Sequence, residues 1–242
     1  MTLPAKFVER VLRDLGGTEG AALCAALDAE PPVSVRLNPA KTGADTLPAG
    51  PDAGLPVPEA AGLPALAIAG RVPWSRDGRY LAVRPSFTLD PDFHAGAYYV
   101  QEASSQFVGH LLAAVRTEGA RILDLCAAPG GKTIATAERM KNQGRILAMD
   151  FYEHKLVLIE EQARRCGIDI IETKCHDSTE GISEFAGRAD RVLADVPCSG
   201  LGVMGRKPEI KYRENPDLEE LTQKQAKILE QASHYVKSGG TL

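Results

Sequence analysis

The sequence has no large excess of charge of one sign. Its 242 residues contain 28 lysine and arginine residues and 32 aspartate and glutamate residues, giving a formal net charge of −4 at pH 7. A protein that binds nucleic acid over a broad surface usually carries a strong positive charge, and that signature is missing here. We therefore expect any RNA-binding surface to be local, or to lie outside this chain.

Cysteine pairs and long apolar runs are also absent from the sequence. The five cysteines are odd in number and widely spread, and they form no C-x-x-C pair: Cys24, Cys126, Cys166, Cys175 and Cys198. This spacing indicates neither a zinc ribbon nor a disulfide framework, and it fits a reducing cytoplasm. Because no apolar run is long enough, we expect neither a signal peptide nor a membrane span.

The first 95 residues predict a small α+β subdomain. Apolar periodicity predicts helices over residues 4–15 and 19–28, and alternating apolar side chains predict a strand over residues 33–37. Residues 40–64 are rich in proline, glycine and alanine, which is typical of a loop. A further helix should begin after Val100, capped by Ser104 or Ser105.

Residues 96–242 predict a second domain with an α/β fold. Four apolar strand patterns alternate with amphipathic helical patterns, and the strands lie near Ile122, Ile146, Ile170 and Val192. Such alternation predicts a doubly wound, mostly parallel sheet with helices on both faces. We therefore divide the chain into an accessory subdomain, residues 1–95, and a sheet domain, residues 96–242.

An acidic residue stands at or just after the end of each predicted strand: Asp124, Asp150, Asp177 and Asp195. Open parallel sheets bind ligands at the carboxyl ends of their strands. Asp150 follows the glycine-containing turn by roughly 20 residues, where a carboxylate takes ribose hydroxyls in dinucleotide folds. One such acid is as often a helix cap, but four in series are harder to explain by capping.

The turn after the first of these strands reads Cys126-Ala127-Ala128-Pro129-Gly130-Gly131-Lys132. A strand, a tight turn of small residues and a helix N-terminus form a nucleotide-type pocket, because a ligand can approach the backbone N–H groups. A phosphate-binding P-loop needs glycine where Cys126 stands, and no G-x-G-x-x-G follows the strand. The turn therefore fits neither of these two nucleotide motifs.

The fourth strand leads into Asp195-Val196-Pro197-Cys198-Ser199-Gly200. An acid can hydrogen-bond a ring nitrogen of a planar base, and proline restrains the loop that holds it. The thiol of Cys198 could act as a nucleophile, assist another group or simply pack.

Taken together, these stretches resemble one family. LDLCAAPGGKT at 123–133, MD at 149–150, HDS at 176–178 and DVPCSGLG at 195–202 resemble the RNA cytosine-C5 methyltransferases of the NOL1/NOP2/Sun group, which includes bacterial ribosomal-RNA enzymes. SVRLNP at 34–39 and YYVQEASSQ at 98–106 are similar to that group as well. The resemblance implies a Rossmann-like class I methyltransferase fold, S-adenosylmethionine as cofactor and RNA, ribosomal RNA in particular, as substrate. It implies no metal.

The resemblance also implies roles for single residues. The cofactor would lie over the turn from Cys126 to Lys132, with Asp150 on the ribose hydroxyls and Asp177 on the adenine amino group. Asp195 would contact both cofactor and target cytosine, and Cys198 would assist product release. Three cations after the PCSG stretch are candidates for binding RNA phosphates: Arg206, Lys207 and Lys211.

In this family the attacking cysteine belongs to a later Thr-Cys motif at the end of the fifth strand. The sequence stops at Leu242, where we expect that strand to begin, so we expect the nucleophile beyond Leu242. On this reading the 242 residues bind cofactor without methylating RNA. The sheet would be incomplete at its C-terminal end, with the edge of the fourth strand unpaired.

Two alternatives stay open. A DNA cytosine-C5 methyltransferase would use Cys198 itself as the nucleophile, although the SVRLNP and QEASSQ stretches speak against it. A non-catalytic module that binds RNA or cofactor during ribosome assembly would need no nucleophile. An amino-methyltransferase is disfavoured, because Val196 and Cys198 replace the proline and aromatic residue usual at that strand end. The sequence does not specify which RNA or which cytosine is modified.

Overall fold

A computed structural model describes residues 3–42, 66–203, 207, 209–210 and 218–242. Most of the proline-rich loop predicted over residues 40–64 lies outside these residues. The chain divides into two compact units, of which the larger comprises Val33–Val196 and Ala226–Leu242. The smaller comprises Met1–Pro32 and Pro197–Gln225.

The smaller unit contains a helical hairpin made of α1 (Ala5–Leu15) and α2 (Gly17–Asp28). The two helices pack closely at Gly20, where an added Cβ would lie 3.0 Å from the Cα atom of Leu12. Both predicted helices are confirmed, with starting residues shifted by one or two positions. The unit also holds a short 3-10 turn, Leu201–Val203, and the first residues of α8 (Leu218–Tyr235).

The N-terminal part of the larger unit is an antiparallel sheet of four strands in the order β2-β3-β1-β4. Its elements in chain order are β1 (Val33–Leu37), α3 (Pro39–Thr42), β2 (Ile68–Arg71), β3 (Gly78–Leu81), α4 (Pro91–His94) and β4 (Tyr98–Val100). Apolar side chains of these strands form one core with Phe87 and Ala97. Tyr98 is fully buried in it and donates a hydrogen bond to Asp90 Oδ2 at 2.6 Å. Burial and this contact raise the pKa of Tyr98.

A parallel sheet of five strands in the order β7-β6-β5-β8-β9 follows. Its elements, with the helix that precedes it, are α5 (Ala103–Ala113), β5 (Arg121–Asp124), α6 (Gly131–Arg139), β6 (Arg145–Asp150), α7 (Glu153–Cys166), β7 (Ile171–Cys175), β8 (Ala189–Leu193) and β9 (Val236–Thr241). Ile122 packs into a core with residues of α6 and α7, whereas its neighbour Leu123 packs with residues of α8. Because successive strand residues point to opposite faces, helices cover both faces of the sheet. The predicted doubly wound α/β fold is confirmed.

The expected unpaired edge on the fourth strand is wrong. Val236–Thr241 already forms β9, which pairs in parallel with β8 and has a register shift between Ala189 and Arg191. Asp190 links this edge together: its carboxylate forms an ion pair with Lys237 and accepts a hydrogen bond from the backbone N–H of Arg121 at 2.8 Å. These contacts, with Lys237 the largest, lower the pKa of Asp190 to about 2. Helix α8 ends at Tyr235, and the strand begins at the next residue, the β-branched Val236.

The two sheets are attached through the C-terminal end of α7. Asn38 Nδ2 donates to the carbonyl oxygens of Gly96 at 3.0 Å and Cys166 at 2.9 Å. Arg165 Nη1 donates to the carbonyl oxygens of Phe93 at 2.6 Å and Tyr98 at 3.0 Å. The last carbonyls of a helix have no intrahelical partner, so Asn38 satisfies one of them from the antiparallel sheet.

Candidate functional site

The turn between β5 and α6 is hydrogen-bonded to the strands on either side of it. The backbone N–H of Leu125 donates to Leu193 O at 3.0 Å, and that of Ala127 donates to Met149 O at 2.8 Å. Gly130 precedes α6 with a φ of +100°, a conformation that other residues adopt only with strain. The Ala128–Pro129 peptide bond is cis. The turn is therefore held at the carboxyl ends of β5, β6 and β8.

Asp150, the last residue of β6, contacts this turn directly. Its Oδ2 accepts a hydrogen bond from the backbone N–H of Ala128 at 3.2 Å, and its Oδ1 accepts one from the backbone N–H of Tyr152 at 3.1 Å. A carboxylate can accept about four hydrogen bonds, so each oxygen keeps acceptor capacity. Phe151 and Tyr152, directly after it, are exposed aromatic residues. Asp150 thus combines a fixed position with the ability to accept further hydrogen bonds.

Asp177 lies in the segment after β7, which is tied to both Asp150 and the turn. The backbone N–H of His176 donates to Asp150 O at 3.0 Å, and Ser178 Oγ donates to Leu125 O. Asp177 Oδ1 accepts hydrogen bonds from the backbone N–H of Thr179 at 3.0 Å and from its hydroxyl at 2.8 Å. The carboxylate is therefore oriented by its own loop beside the carboxyl end of β6.

Asp195, two residues beyond β8, forms an ion pair with Lys132 in the first turn of α6. The Asp195 side chain is 49% exposed and the Lys132 side chain 27% exposed. A carboxylate that remains this accessible can contact an arriving ligand while it stays attached to the helix that follows the turn.

Asp124 differs from the other three acids. It is buried, and the hydroxyl of Thr133 donates a hydrogen bond to its Oδ2 at 2.7 Å. Burial raises its pKa to about 7, more than the Thr133 hydrogen bond lowers it, and the charge of Asp195 adds to the rise. Sequence reasoning placed Asp124 in the same series as the others, but the structure gives it a supporting position beneath the turn.

The remaining predicted site residues differ in how exposed they are. Within the turn, Ala127 and Gly130 are buried, Pro129 is exposed, and Cys126, Ala128, Gly131 and Lys132 are half-buried. Cys198 is exposed and belongs to the smaller compact unit, as does the exposed Lys207. Arg206 and Lys211 lie outside the described residues.

Two residues that sequence reasoning did not select contact the site from the antiparallel sheet. Gln101, just after β4, donates a hydrogen bond to the carbonyl oxygen of Gly131 at 3.0 Å, and Arg36 of β1 contacts Gln101. The local pattern assigns neither residue a role, because Gln101 is a polar residue next to a helix start and Arg36 is a charged residue in an alternating strand. Both residues lie in stretches that carry the family resemblance, SVRLNP and YYVQEASSQ, and this position is the sequence feature that could have identified them.

Family models match almost the whole chain. A model described as 16S rRNA methyltransferase RsmB/F matches residues 111–242, and one described as the N-terminal domain of 16S rRNA methyltransferase RsmF matches residues 3–103. The chain belongs to the RsmB/F methyltransferase family. The predicted family is thereby confirmed, and S-adenosylmethionine is the cofactor of these methyltransferases.

Individual relatives agree with this assignment. The chain is 34% identical to a probable ribosomal RNA small subunit methyltransferase B of Synechocystis, over 100% of this chain and 52% of that protein. It is 41% identical to the Bacillus subtilis protein of the same name, over 62% of this chain and 34% of that protein. The chain therefore spans between a third and about half of the length of these curated relatives.

Solved structures show the same fold. A methyltransferase homologue from Pyrococcus horikoshii matches with a TM-score of 0.77 and 28% identity, over 97% of this chain and 70% of that one. NSun6 from Pyrococcus horikoshii matches with a TM-score of 0.71 and 18% identity, over 99% of this chain and 82% of that one.

The residues at the turn fit S-adenosylmethionine chemically. Its ribose hydroxyls and adenine amino group are hydrogen-bond donors, and Asp150 and Asp177 offer carboxylate acceptors at adjacent strand ends. Its carboxylate is an acceptor, and the first N–H groups of α6 are donors at the positive end of a helix dipole. Among the described residues, no group of three His, Cys, Asp or Glu side chains could hold a metal ion. No helix in the described ranges is long and apolar enough to cross a membrane.

Proposed function

We propose that this chain is the cofactor-binding part of an enzyme that methylates C5 of a cytosine in RNA, with ribosomal RNA as the substrate. The observation that carries the proposal is the grouping of Asp150, Asp195 and Lys132 around one glycine turn. Membership of the RsmB/F family supports ribosomal RNA as the substrate.

In this proposal residues at different strand ends bind different parts of the cofactor. Asp150 accepts the ribose hydroxyls, Asp177 accepts the adenine amino group, and the N-terminus of α6 receives the carboxylate. The turn from Cys126 to Lys132 contributes small side chains, so a ligand can approach its backbone closely. Bound there, S-adenosylmethionine supplies an electrophilic methyl group.

Asp195 is proposed to hold the target base. Its exposed carboxylate accepts a hydrogen bond from the cytosine, and Lys132 keeps the carboxylate directed toward the cofactor turn. Charge-assisted hydrogen bonds of this kind are stronger than neutral ones, so they orient a base efficiently. Lys207, Arg206 and Lys211 are proposed to bind RNA phosphates, which position the strand without reading its sequence.

The chemistry requires a cysteine because C5 of cytosine is a poor nucleophile. A thiolate that adds to C6 makes C5 nucleophilic enough to be methylated, and removal of the C5 proton then expels the thiolate. In this proposal the attacking cysteine belongs to a Thr-Cys motif beyond Leu242, and Cys198 assists the release step.

Titration calorimetry of the chain with S-adenosylmethionine tests the cofactor site. We expect binding by the parent and loss of binding by Asp150→Ala, because the ribose hydroxyls lose their acceptor. Asp169→Ala is the matched control: it removes an exposed carboxylate ahead of β7, at the opposite end of that strand, and should bind as the parent does. Absence of binding by the folded parent, or full binding by Asp150→Ala, would count against the proposal.

The role of Cys198 is tested on the protein from the complete reading frame. We expect Cys198→Ser to accumulate a covalent protein–RNA species when it is incubated with RNA and cofactor, because addition at C6 proceeds and release fails. Denaturing gel electrophoresis detects that species. An inert variant that forms no such species would instead identify Cys198 as the nucleophile and contradict the assignment.

A further inference from the structure

Gln101 contacts both the cofactor turn and the antiparallel sheet with one side chain. The residue is 6% exposed. Its Nε2 donates to the carbonyl oxygen of Gly131 at 3.0 Å, and its Oε1 accepts a hydrogen bond from Arg36 Nη1. Gly131 is the first residue of α6 and directly precedes Lys132. A single amide therefore joins β1 to the end of the cofactor turn.

Arg36 contacts the same helix at a second position. Its Nε donates to Glu138 Oε2 at 2.9 Å, and the two side chains are only 7% and 6% exposed. Glu138 lies seven residues after Gly131, about two turns further along α6. Gln101 and Arg36 thus bind α6 near both of its ends, and we call this pair, with Glu138, the Arg36–Gln101 clamp.

The backbone around Gln101 is itself fixed. Ser34 Oγ donates to Gln101 O at 2.7 Å, and Gln106 Nε2 donates to the same oxygen at 3.1 Å. The backbone N–H of Gln101 donates to Ser34 O at 3.3 Å. With the main chain held from both sides, the amide can define the position of the Gly131 carbonyl.

The chemistry of the clamp points to positioning rather than to stability alone. A buried ion pair such as Arg36–Glu138 generally stabilises a fold no better than apolar side chains of the same volume. Among the described residues, Arg36 Nη2 and Glu138 Oε1 have no hydrogen-bond partner although both are buried. Apolar residues would remove these two unsatisfied atoms, but they would leave Gln101 Oε1 without its donor and would fix no direction for the Gln101 amide.

We propose that Gln101 and Arg36 are positioning residues for the cofactor turn. They hold the Gly131 carbonyl, and through it the first N–H groups of α6 and the start of the Lys132 side chain, without touching the ligand. The antiparallel sheet then contributes to cofactor affinity from outside the parallel sheet. This inference rests on the proposed binding of S-adenosylmethionine at the turn.

Calorimetric titration of the chain with S-adenosylmethionine tests the donor side of the clamp. Gln101→Glu keeps an acceptor for Arg36 but removes the donor to Gly131 and sets an oxygen against its carbonyl. We expect about tenfold weaker binding, the effect of losing one hydrogen bond of ordinary strength. Gln101→Met, which has similar volume and no polar group, should weaken binding to a similar extent.

A double variant separates positioning from stability. Arg36→Met with Glu138→Leu replaces the buried ion pair by apolar side chains but leaves Gln101 Oε1 without a donor, so we expect a thermal midpoint close to that of the parent. Gln101 nevertheless loses its anchor, and we expect weaker cofactor binding. Arg165→Met is the matched control, because it removes two other hydrogen bonds that attach the antiparallel sheet, and neither of them involves Gln101 or Gly131. It should lower the midpoint and leave affinity unchanged.

The outcomes distinguish a failure of the proposed cofactor site from a failure of the proposed positioning role. If the parent fails to bind, the proposed cofactor site is wrong. If the parent binds, Asp150→Ala does not, and both Gln101 variants bind like the parent, the positioning role is wrong while the site stands. Equal loss of affinity in Arg165→Met and the Gln101 variants would also overturn the positioning role, because it would trace affinity to general loosening of the sheet.

Discussion

Burial of one carboxyl group beneath the cofactor turn makes Asp124 sensitive to pH. Its pKa rises from 3.8 to about 7 in the folded chain, chiefly because the ionised form is removed from water. Below pH 4 both the folded and the unfolded chain hold the proton, so the group costs nothing. Between pH 4 and pH 7 only the folded state holds it, and stability falls as pH rises.

We therefore predict that Asp124→Asn removes this loss. The amide oxygen still accepts the Thr133 hydrogen bond, but no charge forms at high pH. A pKa difference of this size corresponds to an upper limit of about 4 kcal/mol in unfolding free energy. About 3 kcal/mol of that loss falls between pH 5 and pH 8, so urea denaturation at these two values tests the prediction: the stability of the variant relative to the parent should rise from pH 5 to pH 8. A constant difference across that range would contradict the assigned ionisation.

Sequence reasoning located the acids of the site but could not rank them by exposure. An acid at a strand end is readable from the local pattern, and Asp150, Asp177 and Asp195 all lie at the carboxyl end of the parallel sheet. Whether such an acid is buried depends on residues far away in sequence. Asp124 ends β5, the central strand, so neighbouring strands and the turn cover it. The buried partners of Gln101 were hidden for the same reason.

At the scale of the element, Gly96 limits how closely the antiparallel sheet approaches α7. Its φ is +72°, and an added Cβ would lie 1.9 Å from the carbonyl oxygen of Arg165. We predict that Gly96→Ala lowers the free energy of unfolding by about 2–4 kcal/mol, since backbone strain adds to the clash.

Gly119→Ala is the matched control for that variant. Gly119 has a φ of +73°, but an added Cβ there meets nothing within 4 Å. The control therefore carries the strain without the clash, and it should cost only about 1 kcal/mol. Denaturant titration of both variants gives the comparison. Equal losses would show that contact with the last turn of α7 does not constrain Gly96.

Element boundaries show where local patterns are reliable. Helix α7 has ends that the local sequence marks, because an acidic residue stands in its first turn and a glycine follows its last residue. The cap predicted at Ser104 or Ser105 is wrong: α5 begins at Ala103, with Glu102 in the cap position. Trp74 contacts this first residue, since its Nε1 donates to Ala103 O at 2.6 Å. Strand β2 was not predicted, because Ile68–Arg71 carries no alternating pattern and depends on pairing with β3.

At the scale of the whole molecule, the contacts between the two sheets favour joint unfolding. The predicted division of the chain into two domains between residues 95 and 96 stays a prediction. The contacts that cross it include Arg36–Glu138, Asn38–Cys166 and Arg165–Phe93, and each of these involves a buried or half-buried group. Residues Val33–Val196 belong to one compact unit.

We predict that the antiparallel and parallel sheets open in one cooperative step. Two backbone N–H groups report on it: Leu37 donates to Asp77 O at 2.9 Å in the first sheet, and Ile146 donates to Ile170 O at 2.8 Å in the second. Native-state hydrogen exchange should give both the same opening free energy to within about 0.5 kcal/mol. In Arg165→Met both should fall together. A Leu37 amide that opens at a clearly lower free energy than Ile146 in the parent would instead show that the antiparallel sheet unfolds independently.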